Sequence, residues 1–230
     1  MPWDPVFHDY YFRALAKVAD RYGDDESLYA VTLTLANFMS LEWHLPYRKQ
    51  DKELWNQYEG FEQQIEKAWQ TGIDRFAVLF ANQQLVLEAF SWPIGIEDLG
   101  RAVIDYGAIQ HPGRFTIQIN QMVGRYDMIN NESYGKLIEF KEEYGDGITI
   151  GIQNLKGWEY PSTREIQGSL EMCVYNYIQS GATYWELWYG DGANIETCRT
   201  LSQHITDAHS LGLDGYRSRL KDDGLYTPPK

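Results

Sequence analysis

The chain has 230 residues, 43% hydrophobic and 23% charged, the composition of a soluble globular protein long enough to bury a full core. Its formal net charge of −13 disfavours nucleic acid or an anionic membrane as partner, since both need a basic footprint. No apolar run is long enough to span a bilayer and no charged-then-apolar leader opens the chain, so a soluble protein of open compartment is expected.

Asp4-Pro5 forms a helix start, a capping carboxylate followed by proline at the first helical position. Phe7, Tyr11, Leu15, Val18 and Tyr22 then recur at helical spacing until Gly23-Asp24-Asp25. The first strand is expected over Tyr29 to Ala36. Val31, Leu33 and Leu35 face one way and Thr32, Thr34 and Ala36 the other. Residues 47 to 60 read as a loop with a helical turn, and an amphipathic helix runs from Phe61 to Phe80. Strands follow over Leu85–Phe90, Arg114–Gln121, Ile148–Gln153 and Tyr184–Tyr189. The helical stretches between them lie within Pro93–Gly107, over Glu132–Tyr144, and from the capping box Ser162-x-x-Glu165 to Gln179. A last helix over Asn194–Leu211 precedes a polar tail ending in Pro228-Pro229.

Strand and helix alternate as in βαβ units, with no low-complexity segment or linker, so residues 1–230 are read as one domain. Every strand has one apolar face, exemplified by Phe115/Ile117/Ile119 and Ile148/Ile150/Ile152. The opposite faces carry polar residues: Thr116/Gln118/Asn120, Thr149/Gly151/Gln153, Tyr184/Glu186/Trp188 and, in the second strand, Val86/Glu88/Phe90. A doubly wound sheet, covered by helices on both sides, needs apolar residues on both faces. A closed barrel with helices outside and a partly polar lumen fits better. No phosphate-binding glycine loop follows any strand to support the flavodoxin-like or Rossmann alternative. The expected fold is therefore an α/β (β/α)8 TIM-type barrel. It is incomplete, holding five βα units read as strands 4 to 8, and needs a missing N-terminal barrel segment or a second chain to complete it.

Barrel chemistry sits where strands end. Glu42 lies just past the first strand, Glu88 late in the second, Glu186 in the last, and Asp191 just beyond it. Glycoside hydrolysis needs two carboxylates flanking the scissile bond, and tryptophans at 43, 92, 158 and 188 supply stacking platforms for sugar rings. Gln118, Asn120 and Gln153 add hydrogen-bonding groups on the lumen face.

The segments D-P-V-F, R-Y-G-D-D, V-T-L-T-L-A-N and S-L-E-W-H-L-P, in that order, resemble the middle of a clan-A-type glycoside hydrolase barrel, the cellulase and β-galactosidase-like group. The resemblance implies that Glu42 is the acid/base and that the nucleophile ends the seventh strand. The asparagine usual before the acid/base is replaced by Leu41, and the seventh strand ends in Gln153-Asn154 without a carboxylate. Glu186 on the eighth strand is then the nearest second carboxylate, with Glu88 next. The expected function is hydrolysis of O-glycosidic bonds of a poly- or oligosaccharide by Glu42 and Glu186. Trp43, His44, Glu88, Trp92, Gln118, Asn120, Gln153, Trp188 and Asp191 would contact the carbohydrate. The alternative is a non-catalytic carbohydrate-binding relative that has lost its nucleophile. A third reading is a barrel fragment of unrelated chemistry.

Blander roles compete with each assignment. Glu42 can be an ordinary loop carboxylate, His44 a surface histidine, and Glu186 a lumen carboxylate held by Gln153, Gln118 or a tyrosine hydroxyl. His204 and His209 are five positions apart, which does not stack them on one helical face, so no metal and no cofactor are expected. Cys173 and Cys198 form neither a disulfide framework nor a metal motif.

Overall fold

The computed structural model describes residues 3–35, 49–88, 97–158 and 165–229. Helix α1 spans Pro5–Tyr22 and begins as its capping residues predict: Asp4 Oδ1 accepts from the backbone N–H groups of Val6 and Phe7. It is followed by β1 (Ala30–Thr32), α2 (Lys49–Trp55), α3 (Phe61–Leu79), β2 (Gln84–Glu88), α4 (Glu97–Gln110), β3 (Phe115–Met122) and α5 (Glu132–Tyr144). Then come β4 (Ile148–Asn154), α6 (Leu170–Gln179), β5 (Tyr184–Glu186), α7 (Tyr189–Ala193) and α8 (Ile195–Asp222).

The architecture is α/β. The strands form one five-stranded parallel sheet in the order β1-β2-β3-β4-β5. A doubly wound sheet reverses its strand order at a switch point. Here each strand is added beside its predecessor, which is not the doubly wound order. Among the described residues, no helix is long and apolar enough to cross a membrane.

The chain divides into two compact units, Met1–Ile117 with Asp146–Ile148, and Gln118–Gly145 with Thr149–Lys230. In the first, β1 pairs with β2 in the register Ala30↔Gln84 to Thr32↔Val86. Helix α3 buries Ile65, Ala68, Trp69, Ile73 and Phe76, the stripe its periodicity predicts. It also packs on the chain just past β1: a Cβ on Gly72 would lie 2.8 Å from Leu35 Cδ2, so a larger residue there would make that leucine shift. Leu33 and Leu35 are buried, and the contact at Gly72 places Leu35 toward a helix, as the alternation predicts. The C-terminal end of α3 is closed by Arg114, which donates to the carbonyls of Ala77, Phe80 and Gln83.

In the second unit, β4 pairs with β5 in the register Gly151↔Tyr184, Ile152↔Trp185 and Gln153↔Glu186. The core joins Met172, Val174 and Tyr175 of α6 to Leu201, Ala208, Tyr216 and Leu220 of α8, with Trp185 and Leu187 packed against it. That is the helix-facing side expected for Trp185 and Leu187. Asn176 fixes the chain leaving β3, donating to the carbonyls of Val123 and Tyr126 and accepting from Met128 N.

Several element boundaries differ from the sequence reading; β1, expected over Tyr29 to Ala36, spans only Ala30–Thr32. Strand β5 stops at Glu186 because Tyr189 opens α7, and Tyr189 is 90% exposed instead of facing helices. The stretch expected as helix from the capping box Ser162-x-x-Glu165 is helical over 165–167, is interrupted at Gly168 (φ 80), and resumes at Leu170 under the Ser169 Oγ cap; Ser162 itself lies outside the described residues. The expected polar tail is largely helix. Gly212 (φ 68, ψ 168) ends the first stretch where the spacing predicts, but Leu213, Tyr216 and Leu220 resume an apolar stripe and α8 continues to Asp222.

Candidate functional site

Strand alternation aims Gln118 and Asn120 of β3 and Glu186 of β5 away from the helices. Gln118 is fully buried, and its Nε2 donates to Asn120 Oδ1 at 2.9 Å and to Glu186 Oε2 at 2.8 Å. A carboxamide can meet both acceptors only from close range, and Gly151 provides the room. A Cβ there would lie 3.0 Å from the Tyr184 ring and 3.1 Å from Gln118 Oε1. That oxygen is buried and has no hydrogen-bond partner among the described residues. Glu186 is half-buried; Gln118 fixes one carboxylate oxygen, and Oε1 keeps its acceptor capacity.

The register sets Gln153 directly beside Glu186, half-buried on the adjacent strand. The hydrogen bond to the carboxylate nevertheless comes from Gln118, one of the partners the sequence reading allowed. Past β4, Asn154 is fully buried and joins two tryptophans: its Oδ1 accepts from Trp185 Nε1 and its carbonyl from Trp188 Nε1, both at 2.9 Å. Trp188 is thereby held by its indole N–H while 40% of the residue stays exposed, an arrangement suited to a stacking platform.

Asp191 is 1% exposed, and both its oxygens accept from Trp158 N, at 2.8 and 3.0 Å. Its observed role is to tie the segment after β4 to the first turn of α7. Trp158 is half-buried, donates Nε1 to the Gly168 carbonyl and lies 6.4 Å from the Trp185 ring. Glu88 ends β2 with 6% exposure and belongs to the first compact unit. Glu42, Trp43, His44 and Trp92 lie outside the described residues.

The structure therefore brings together Gln118, Asn120, Gln153 and Glu186 beside the strand ends, with Trp188 following on the β5 side. Asn154 was visible in the sequence only as the residue where a nucleophile was missing. Its buried amide becomes legible once the two indole N–H groups are seen converging on it. Among the described residues, no group of three or more histidine, cysteine, aspartate or glutamate side chains could hold a metal ion. Cys173 is enclosed, and burial pushes its thiol well above the ordinary range, which makes it a poor nucleophile. Comparison with protein-family models, curated proteins and solved structures finds no match to the chain.

Proposed function

We propose that the chain is part of a glycoside-hydrolase-like (β/α)8 barrel and binds a poly- or oligosaccharide at the C-terminal ends of β3, β4 and β5. The observation that carries this reading is Glu186: a half-buried carboxylate with one oxygen set by Gln118 and the other left to accept from a ligand hydroxyl. Sugar recognition combines such fixed acceptors with an aromatic face, and Trp188 supplies an indole whose polar edge is already satisfied. Since β1 and β5 end the sheet, the remaining barrel strands would come from a further barrel segment or a second chain.

Calorimetric titration with cello-, xylo- and galacto-oligosaccharides tests the proposal. Saturable binding is expected, with Trp188→Ala weakening it about tenfold, the scale of one lost aromatic contact. Absence of binding across the panel at millimolar sugar, or full affinity in Trp188→Ala, would refute it.

Hydrolysis by Glu42 and Glu186 is the second reading, favoured by the resemblance of the S-L-E-W-H segment and by the free acceptor capacity of Glu186. Two catalytic carboxylates lie about 5–5.5 Å apart in retaining enzymes and about 6.5–9.5 Å apart in inverting ones. Turnover of nitrophenyl glycosides that is lost in both Glu42→Gln and Glu186→Gln supports it. Turnover unchanged in either excludes the pair, and sugar binding without turnover leaves the binding reading.

A further inference from the structure

At the C-terminal ends of β3 and β4, within the second compact unit, several hydrogen bonds converge on one buried residue. Gln167 is fully buried. Its Nε2 donates to the Met122 carbonyl at 2.9 Å, its Oε1 accepts from Lys156 N at 2.9 Å, and its carbonyl accepts from Gly124 N at 2.6 Å. Gly168 completes the junction: a Cβ there would lie 2.4 Å from Arg125 N, so the chain carrying Arg125 packs directly on the glycine backbone. The Gly168 carbonyl accepts from Trp158 Nε1 at 3.1 Å. Arg125, Lys156 and Trp158 are thus all carried on chain tied to the same two residues.

Exposed cations are ordinary and need no partner for stability. Arg125 and Lys156 nevertheless differ from the other described cations of this unit. Lys136, Arg199, Arg217 and Arg219 pair with carboxylates, Lys141 donates to the Gly145 carbonyl, and Lys221 lies over the Tyr226 ring. Arg125 and Lys156 are exposed, and among the described residues their side chains make no hydrogen bond, ion pair or ring contact. In a chain of net charge −13, the two unneutralised cations stand at adjoining strand ends and reverse the local sign. Beside them, Trp158 is half-buried with its indole N–H satisfied, which leaves ring surface for an apolar face. Arginine meets a carboxylate with two parallel hydrogen bonds and lysine meets it as a point charge. A carboxylate borne on a pyranose ring uses all three groups.

We infer that the ends of β3 and β4 bind a uronic acid unit of a polysaccharide, with Arg125 and Lys156 receiving its carboxylate and Trp158 its ring. The inference rests on the carbohydrate reading of the strand ends and names the class of sugar. Glu186 constrains the orientation, because the register sets it beside Gln153, three residues before Lys156. As an anion it repels the uronate carboxylate and accepts from hydroxyls, so the acid group lies on the Arg125 and Lys156 side.

Calorimetric titration of the full chain at low salt tests the inference with two acid–neutral pairs: trigalacturonate against galactotriose, and glucuronic-acid-substituted xylotriose against xylotriose. In at least one pair the acidic sugar is expected to bind about tenfold tighter or more, an advantage that shrinks as salt rises. Arg125→Gln with Lys156→Gln should abolish that advantage and leave the neutral sugar within about twofold. A control that removes the same charge from α5 and α8, Lys136→Gln with Arg199→Gln, should keep it. The inference is overturned by equal affinity within both pairs, by equal losses in the two double variants, or by triglutamate binding as tightly as the acidic sugars. Equal affinity within the pairs, with binding that still depends on Trp188, overturns the uronate assignment and leaves the carbohydrate reading in place. Binding of none of the four sugars removes both. The Arg125 and Lys156 side chains support no other described residue, so their double variant tests the site in a folded protein.

Discussion

Replacing Gln118 with methionine tests whether the buried polar layer organises the strand ends. Methionine keeps the length and most of the volume of glutamine, so the substitution leaves little cavity. Two hydrogen bonds disappear, one to the Glu186 carboxylate and one to Asn120. Typical net values are about 1.5–3 kcal/mol for a bond to a charged group and about 1 kcal/mol for a neutral one. Against that, the orphaned Oε1 also disappears, and an unsatisfied buried acceptor costs about 1–3 kcal/mol. Glu186 is half-buried, so water replaces part of what it loses. The sum is a destabilisation of about 1 kcal/mol, a fall in Tm of about 2–4 °C for a domain of this size. Sugar affinity should fall more than stability, because the carboxylate loses the group that aims it. Gln118→Glu supplies the contrasting arm. Its carboxyl would stand where Nε2 now lies, 2.8 Å from Glu186 Oε2, and two carboxylates that close cannot both ionise. The folded pKa of the pair is raised, so the penalty relative to wild type is absent below about pH 4 and grows as pH rises above it. Calorimetric melts of the three proteins from pH 4 to 8 read this directly. A Gln118→Glu protein whose Tm tracks wild type across that range would refute the geometry.

Arg114→Met should destabilise by about 3 kcal/mol or more, read as a lower urea midpoint, because the carbonyls of Ala77, Phe80 and Gln83 lose a charged donor together. Asp191→Ala leaves Trp158 N without its acceptors and should cost about 1–3 kcal/mol, with faster protease cleavage in the segment after β4. At alkaline pH, burial pushes the Tyr175 hydroxyl up to about 12 and raises Tyr216 and Tyr134 as well. Folded pKa values above the unfolded one mean that this stability is fully present below about pH 10 and is lost as pH rises toward 12. Tyrosinate absorbance near 295 nm should therefore rise together with loss of near-ultraviolet dichroism, and early ionisation in a still-folded chain would contradict it.

Period-two alternation marks which strand residues avoid the helices, and Gln118, Asn120 and Glu186 are nameable from it. What alternation cannot give is the partner: Gln118 and Glu186 are 68 positions apart, and their contact depends on the register of strands between them. The end of β5 was misread for a local reason. Trp188 and Tyr189 have strong strand propensity, but the Gly190-Asp191-Gly192 that follows forms the short helix α7, and tertiary hydrogen bonds to Asp191 and Trp188 outweigh propensity. Gly212 misled in the opposite direction. It is a sound helix stop, and the chain does break there, yet the stripe of Leu213, Tyr216 and Leu220 had the same period as the helix before it.

The polar face that first suggested a lumen is itself buried: Thr116, Gln118 and Asn120 are all below 5% exposure. Such a layer contributes little to net stability, since its hydrogen bonds replace those made to water, and an apolar layer of the same volume would be simpler to satisfy. Its retention with one acceptor unsatisfied follows if the layer's role is to hold Glu186 in a fixed direction. The same logic separates the two carboxylates near the end of β5. Asp191 has both oxygens on Trp158 N and is closed off from solvent, whereas Glu186 has one oxygen held and a half-exposed side chain. Of the two, Glu186 is the one that the proposed function assigns to a ligand, and Asp191 is held on Trp158 N.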